Sequence, residues 1–289
     1  MRLFHPILAP IIAGVLTFSA AAHAGTTGLF QVNERIPDTT SYAVAPVSEG
    51  GATVAGDNIT VVVNPGDYAN DYTGKTVHAT LSERADGSML LHNIYPQEPL
   101  SIARLEQTNA NLRRDTVERG RRVFRLEDDF IPEFGAWNEE GTVVTDKDFR
   151  GKFMIINFIF TRCPTPDMCP AQTMRMARLQ RELARAEKSD EVELVSFTLD
   201  PEYDSPGVLR DYAETRGLDL ANFTLLTAPK PAMEDLYRQF GIVAYKADGT
   251  IDHTMGTILV SPKGKILYRK SGSRWSVTEF LKKLEEAQS

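Results

Sequence analysis

The stretch Phe153-Met-Ile-Ile-Asn-Phe-Ile-Phe160-Thr-Arg-Cys163-Pro-Thr-Pro-Asp-Met-Cys169-Pro170 sets the fold class of this chain. Its first eight residues are a near-continuous apolar run, the pattern of a strand buried on both faces of a sheet. A proline-rich loop follows. Pro170 suits the first turn of a helix running to about Lys188, with Met174, Ala177, Leu179 and Leu183 as its apolar face. Strand, loop and helix place both thiols where a helix begins, and there the amide dipoles favour thiolate. These are the only two cysteines in 289 residues. An accessible pair of this kind is a redox couple or a soft-metal site, with a plain structural disulfide as the third reading.

Working outward, the pattern from about Leu126 alternates between β and α. Glu191–Leu199 reads as the next strand. Ser205 reads as a helix N-cap with Pro206 at the first helical position, and Leu209 and Tyr212 share one face. Phe223–Leu226 is a short strand, and Ala232–Phe240 a helix ended by Gly241. Thr257–Val260 and Lys265–Arg269 form a hairpin, and Ser276-Val-Thr-Glu279 is a capping box opening the last helix. This order predicts an α/β domain over 120–289, a central sheet flanked by helices.

The N-terminal half has a different character. Residues 1–24 read as a signal peptide, with Arg2, an apolar segment over Ile7–Ala22 and the cleavage pattern Ala22-His-Ala24. That segment is short for a membrane span. Export to the periplasm is therefore expected, with an inner-membrane anchor through an uncleaved segment as the alternative. Residues 25–40 carry little apolar periodicity and read as a linker. Over 41–110, short β-type runs at Ile59–Val63, Thr76–Leu81 and Ser88–His92 alternate with turn signals such as Gly50-Gly51 and Asn64-Pro-Gly66, predicting a small all-β module. Residues 101–122, with the basic cluster Arg119-Gly-Arg-Arg122, form a helical or extended connector. Loss of Arg2 with the leader takes the net charge from −7 to −8. That acidic balance argues against nucleic acid or an anionic membrane surface as partner.

Beyond the two cysteines, the α/β half holds one candidate ligand, His253, at a loop-to-strand junction that a thioredoxin-like sheet can bring beside the cysteine loop. Two thiolates and an imidazole are a soft, low-coordinate set that suits Cu(I), and with distortion Cu(II). A closed zinc site would want a fourth ligand. His78, Met89 and His92 in the β module fit no ligand spacing and read as scattered strand residues.

The residues Cys163-Pro, Cys169-Pro170, Asp200-Pro-Glu-Tyr-Asp-Ser-Pro206 with Leu209 and Tyr212, and Asp252-His253 before a strand closely resemble the Sco/SenC proteins. So do Gly151-Lys152 before the first strand and Phe160-Thr-Arg-Cys-Pro164. The resemblance covers about residues 125–288. It implies a thioredoxin-like fold and copper held by Cys163, Cys169 and His253, with Asp200 in a supporting role. It also implies delivery of that copper to the copper-bearing subunit of a respiratory cytochrome oxidase, or thiol reduction there, with a thioredoxin-type reductant keeping the thiols reduced. The chain departs from the family pattern in two ways: five residues separate the cysteines instead of three, and the β module is additional. A thiol–disulfide oxidoreductase of the cell envelope, using Cys163 and Cys169 alone, is the alternative.

Overall fold

The structure is a computed structural model that describes residues 25–48, 58–120, 124–247 and 250–288. The expected leader at 1–24, the Gly50-Gly51 turn signal and Arg121-Arg122 of the basic cluster lie outside these residues. Where a linker is expected over 25–40, an eleven-residue strand β1 (Thr26–Ile36) stands instead. Only Phe30 and Val32 of it are buried, so the strand carries almost no apolar pattern to announce it. β1 pairs with both β2 (Ser41–Val47) and β4 (Thr76–Glu83), and β3 (Ile59–Val62) runs parallel to β5 (Met89–Pro96). The result is a closed barrel in the order β1-β2-β3-β5-β4, with the short helix α1 (Pro65–Ala69) between β3 and β4. This is the connectivity of an OB-type barrel, and it starts at residue 26, not 41.

The connector is the 21-residue helix α2 (Pro99–Arg119), whose first amides are capped by the Glu98 carboxylate. The expected module boundary at 110 therefore falls inside a helix. Leu105 and Leu112 bury on the α/β domain, and Arg113 pairs with Asp235 at 2.9 Å.

That domain opens with the hairpin β6 (Gly135–Asn138) and β7 (Val143–Thr145), which the apolar pattern does not show. β8 (Phe153–Ile159) has all seven residues buried, as its run of apolar side chains requires. It is followed by α3 (Cys169–Arg185), β9 (Val192–Thr198), α4 (Pro206–Thr215), β10 (Phe223–Thr227) and α5 (Lys230–Phe240). β11 (Ala244–Ala247) and β12 (Thr250–His253) form a separate ribbon, and β13 (Gly256–Val260), β14 (Ile266–Ser271) and α6 (Val277–Gln288) complete the chain. The sheet order is β14-β13-β8-β9-β10-β6-β7, with β8, β9 and β10 parallel. Right-handed crossovers carry α3 and α4 over one face, where the Thr173 and Tyr212 hydroxyls meet at 2.8 Å. The reverse step from β10 to β13 carries α5 to the other face, against α2. The central strands are thus covered on both faces, and the fold is thioredoxin-like. Met174 does not join the apolar face of α3 as expected: it is 67% exposed, and Met176 is buried instead.

The barrel docks on this domain through glycines. A Cβ on Gly207 would lie 2.1 Å from an Asp67 carboxylate oxygen, and one on Gly66 would lie 1.9 Å from the Gly207 carbonyl. Asp67 is fully buried there, and burial raises its carboxyl to about 7 despite hydrogen bonds from Tyr72, Asn64 and the Gly207 amide. An acid raised in the folded state contributes stability that is fully present below its unfolded pKa, near 3.8, and lost as pH rises through 7. Asp67→Asn is therefore expected to gain on the wild type as pH rises from about 5 to about 7, by up to about 1.4 kcal/mol per unit, and to hold that gain at higher pH. Urea midpoints of both proteins across pH 5–8 measure this, and a constant difference would refute it.

Candidate metal centre

The site begins where β8 ends. The loop 161–168 must leave the sheet and enter α3, and two buried carboxylates set its first turn. Asp204 accepts hydrogen bonds from the Thr161 hydroxyl at 2.5 Å, the Thr161 amide at 3.2 Å and the Thr198 hydroxyl at 2.5 Å. Asp200 takes the Arg162 guanidinium at 2.5 and 3.2 Å, and the same guanidinium stacks on Tyr203, 3.8 Å from the ring centre. With its neighbours fixed, Cys163 closes the turn by donating its amide to the Phe160 carbonyl at 3.3 Å.

Both cysteines are free thiols, Cys163 partly exposed and Cys169 buried. The Cys163 thiol faces the Thr165 carbonyl at 3.8 Å, and its nearness to Cys169 adds to what raises the Cys169 thiol. Cys169 is the first residue of α3, so the helix dipole favours its thiolate, yet burial pushes the thiol well above its ordinary value. Desolvation outweighs the dipole. The expectation of two accessible thiolates is corrected at Cys169.

His253 ends β12, held by its pairing with Ala244 on β11. Its Nδ1 lies 3.0 Å from the Thr254 carbonyl and its Nε2 lies 3.5 Å from Cys169 Sγ. A carbonyl only accepts, so Nδ1 carries the proton and the Nε2 lone pair faces the thiol. Burial lowers the pKa of His253, which keeps the imidazole neutral and able to coordinate. The Phe160 ring meets it edge-on at 5.7 Å.

The structure thus brings Cys169 and His253 into contact and places Cys163 at the other end of the same short loop, partly buried against the same core. Among the described residues, no three His, Cys, Asp or Glu side chains form a ready-made metal cluster. The donor set is nevertheless soft: two sulfurs and one imidazole nitrogen, with the nearby Asp200 and Asp204 carboxylates already committed to the loop. Such a set fits a soft, low-coordinate ion. His78 is exposed and His92 half-buried on the barrel, opposite Tyr95 and Thr80, while Met89 packs on the barrel core. They assemble no site. Thr161, Arg162 and Asp204 are the residues that motif reading undervalued. Asp204 stood inside the Asp200–Pro206 motif as the available signal.

A thioredoxin-like domain with paired thiols after its first central strand defines the class. The SCO1/SenC family model matches residues 124–288, and the chain belongs to that family. Over 146 residues the chain is 32% identical to the SCO1 protein homolog of Bacillus subtilis, covering 49% of this chain and 74% of that one. It is 30% identical over 142 residues to protein sco1 of Schizosaccharomyces pombe, covering 46% of this chain but only 52% of the relative's length. Among solved structures, a SCO1/SenC family lipoprotein from Bacillus anthracis superposes with a TM-score of 0.51 at 27% identity, over 58% of this chain and 100% of that one. BsSco, a member of the Sco family of cytochrome c oxidase assembly proteins with an identified disulfide switch, gives 0.50 at 27% identity, over 57% and 96%. The barrel at 26–96 lies outside the matched region. No described helix is long and apolar enough to cross a membrane.

Proposed function

We propose that this protein is an exported copper chaperone that holds copper as cargo on Cys163, Cys169 and His253 and passes it to the copper site of a respiratory cytochrome oxidase. The single observation that carries this reading is the contact of Cys169 Sγ with an imidazole Nε2 whose lone pair is freed by the Nδ1 bond to Thr254. A neutral imidazole with that nitrogen free is a ligand as it stands. Three soft donors around a partly exposed thiol leave copper incompletely coordinated, so an acceptor's thiols can displace it ligand by ligand. The Sco relatives, among them a cytochrome c oxidase assembly protein, support the oxidase as acceptor. The leader at 1–24 supports a periplasmic location.

The reduced protein is expected to bind one copper per chain in competition with a chelator. His253→Ala is expected to weaken Cu(II) by about tenfold or more and Cu(I) much less, because Cu(II) favours the imidazole and Cu(I) the thiolates. A reduced wild type that takes up no copper under competition would overturn the reading.

A partly exposed thiol and a buried one at the two ends of one short loop favour a second reading, thiol–disulfide exchange. In it the accessible Cys163 attacks a partner's disulfide, and Cys169 then displaces the partner's thiol and closes the Cys163–Cys169 bond. A thioredoxin-type reductant restores the dithiol. Full function in cells carrying His253→Ala, with none in Cys163→Ser, would decide for this chemistry.

A further inference from the structure

The loop from Pro201 to Gly207 is gripped at both ends by the barrel. At one end the Tyr95 hydroxyl of β5 donates to the Pro201 carbonyl at 3.1 Å. At the other, the Asp67 carboxylate of α1 lies against the first turn of α4 at Gly207. That helix needs such a group. Its own N-cap residue, Ser205, makes no side-chain capping bond, and its Oγ is buried without a partner. An orphan amide at a helix start is stabilised by a nearby acceptor, best by a carboxylate. Here the acceptor comes from the other domain, and the Gly66–Gly207 contact is close enough to deliver it. Asn70 adds two bonds across the same junction, to Arg210 at 2.8 Å and to the Glu139 carbonyl at 2.9 Å.

The gripped loop is also the one that builds the site. Asp200 and Asp204, next to and within it, fix Arg162 and Thr161 on the cysteine side. Glu202 binds Lys246 of β11 at 2.6 Å and Lys230 at 3.3 Å, and β11 is the strand that carries the partner of His253. One loop therefore sets both halves of the site, and the barrel sets the loop. We propose that Tyr95 and Asp67 are positioning residues for the Cys163–Cys169–His253 set, so that the additional barrel serves as a brace for the metal centre. This rests on reading those three residues as the copper-holding set.

The test uses the full chain with two readouts: the alkylation rate of Cys163 in reduced, metal-free protein, and the sulfur-to-copper charge-transfer band after loading with Cu(II). Tyr95→Phe, which removes one hydroxyl, is expected to speed alkylation about 3- to 10-fold, the effect of losing one hydrogen bond, and to shift or broaden the band. Asp67→Ala is expected to do the same or more. Asp67→Asn keeps an acceptor for Gly207 and is expected to stay near wild type. Thr27→Ala, on the barrel surface, is expected to change nothing. Wild-type alkylation rate and band in folded Tyr95→Phe and Asp67→Ala would overturn the proposal; should Asp67→Ala fail to fold, Tyr95→Phe alone decides. If the wild type itself takes up no copper, the copper reading fails separately, and the alkylation arm still decides on positioning.

Discussion

Cys169→Ser is expected to weaken Cu(I) binding by more than about a hundredfold, beyond the range that loss of an outer-shell partner alone reaches. Cys169 is the thiol already in contact with the His253 imidazole, so its loss removes the donor pair that the fold has assembled. Serine keeps the volume and the hydrogen bond but offers a hard oxygen whose proton copper cannot displace at neutral pH. The native thiol is itself held protonated by burial, so copper uptake must release that proton, and the bond to copper has to outweigh the desolvation cost. Cys163→Ser is expected to weaken binding too, while leaving the Cys169–His253 pair as a residual two-ligand site. Chelator competition on the two variants measures the order. Equal, small losses in both would show that copper is held elsewhere on the chain.

This asymmetry between the cysteines was not visible in the sequence. Position 169 at a helix start argued for a thiolate, and only packing against Phe160 and the sheet reveals that burial wins. What could be read was whatever depends on neighbours in sequence: the buried run 153–160, the proline-led helices and the Gly241 stop. Of the expected Ser276 capping box only the Ser276 bond to the Glu279 amide forms, the Glu279 carboxylate turning to Tyr268 and Lys270. β1 escaped because two inward residues make too little pattern, and the β11–β12 ribbon because its strands are only four residues long. His253 was found as a lone histidine at a junction, but its tautomer depends on the Thr254 carbonyl, which no spacing rule reports. The barrel's grip on Pro201 and Gly207 spans more than a hundred residues of sequence. Contacts at that separation are set by docking of two finished surfaces, so neither Tyr95 nor Asp67 carries a local mark of its role.

The same argument from buried partners makes Asp204 the residue whose removal should damage the site most without touching a ligand. Its carboxylate satisfies three donors, two of them on Thr161 and one on Thr198, in a place that water does not reach. Asp204→Ala leaves all three without an acceptor, each at about 1–3 kcal/mol, with partial relief as the turn opens. A net loss of about 3–5 kcal/mol is expected, together with a Cys163 loop no longer anchored at Thr161. Asp204→Asn should cost far less. Its carbonyl oxygen can keep the Thr161 amide and the Thr198 hydroxyl, and the Thr161 hydroxyl can rotate to accept from the new amide. Burial already raises the Asp204 carboxyl to about 6, so a neutral group is not foreign to this position. Urea unfolding of the two variants gives the stabilities, and the rate of Cys163–Cys169 disulfide formation under a fixed oxidant reports the geometry. Stability lost in both variants alike would mean that the negative charge matters and the acceptor count does not. Alanine with wild-type stability and a wild-type oxidation rate would mean that the Thr161 turn is held by Arg162 and Asp200 alone.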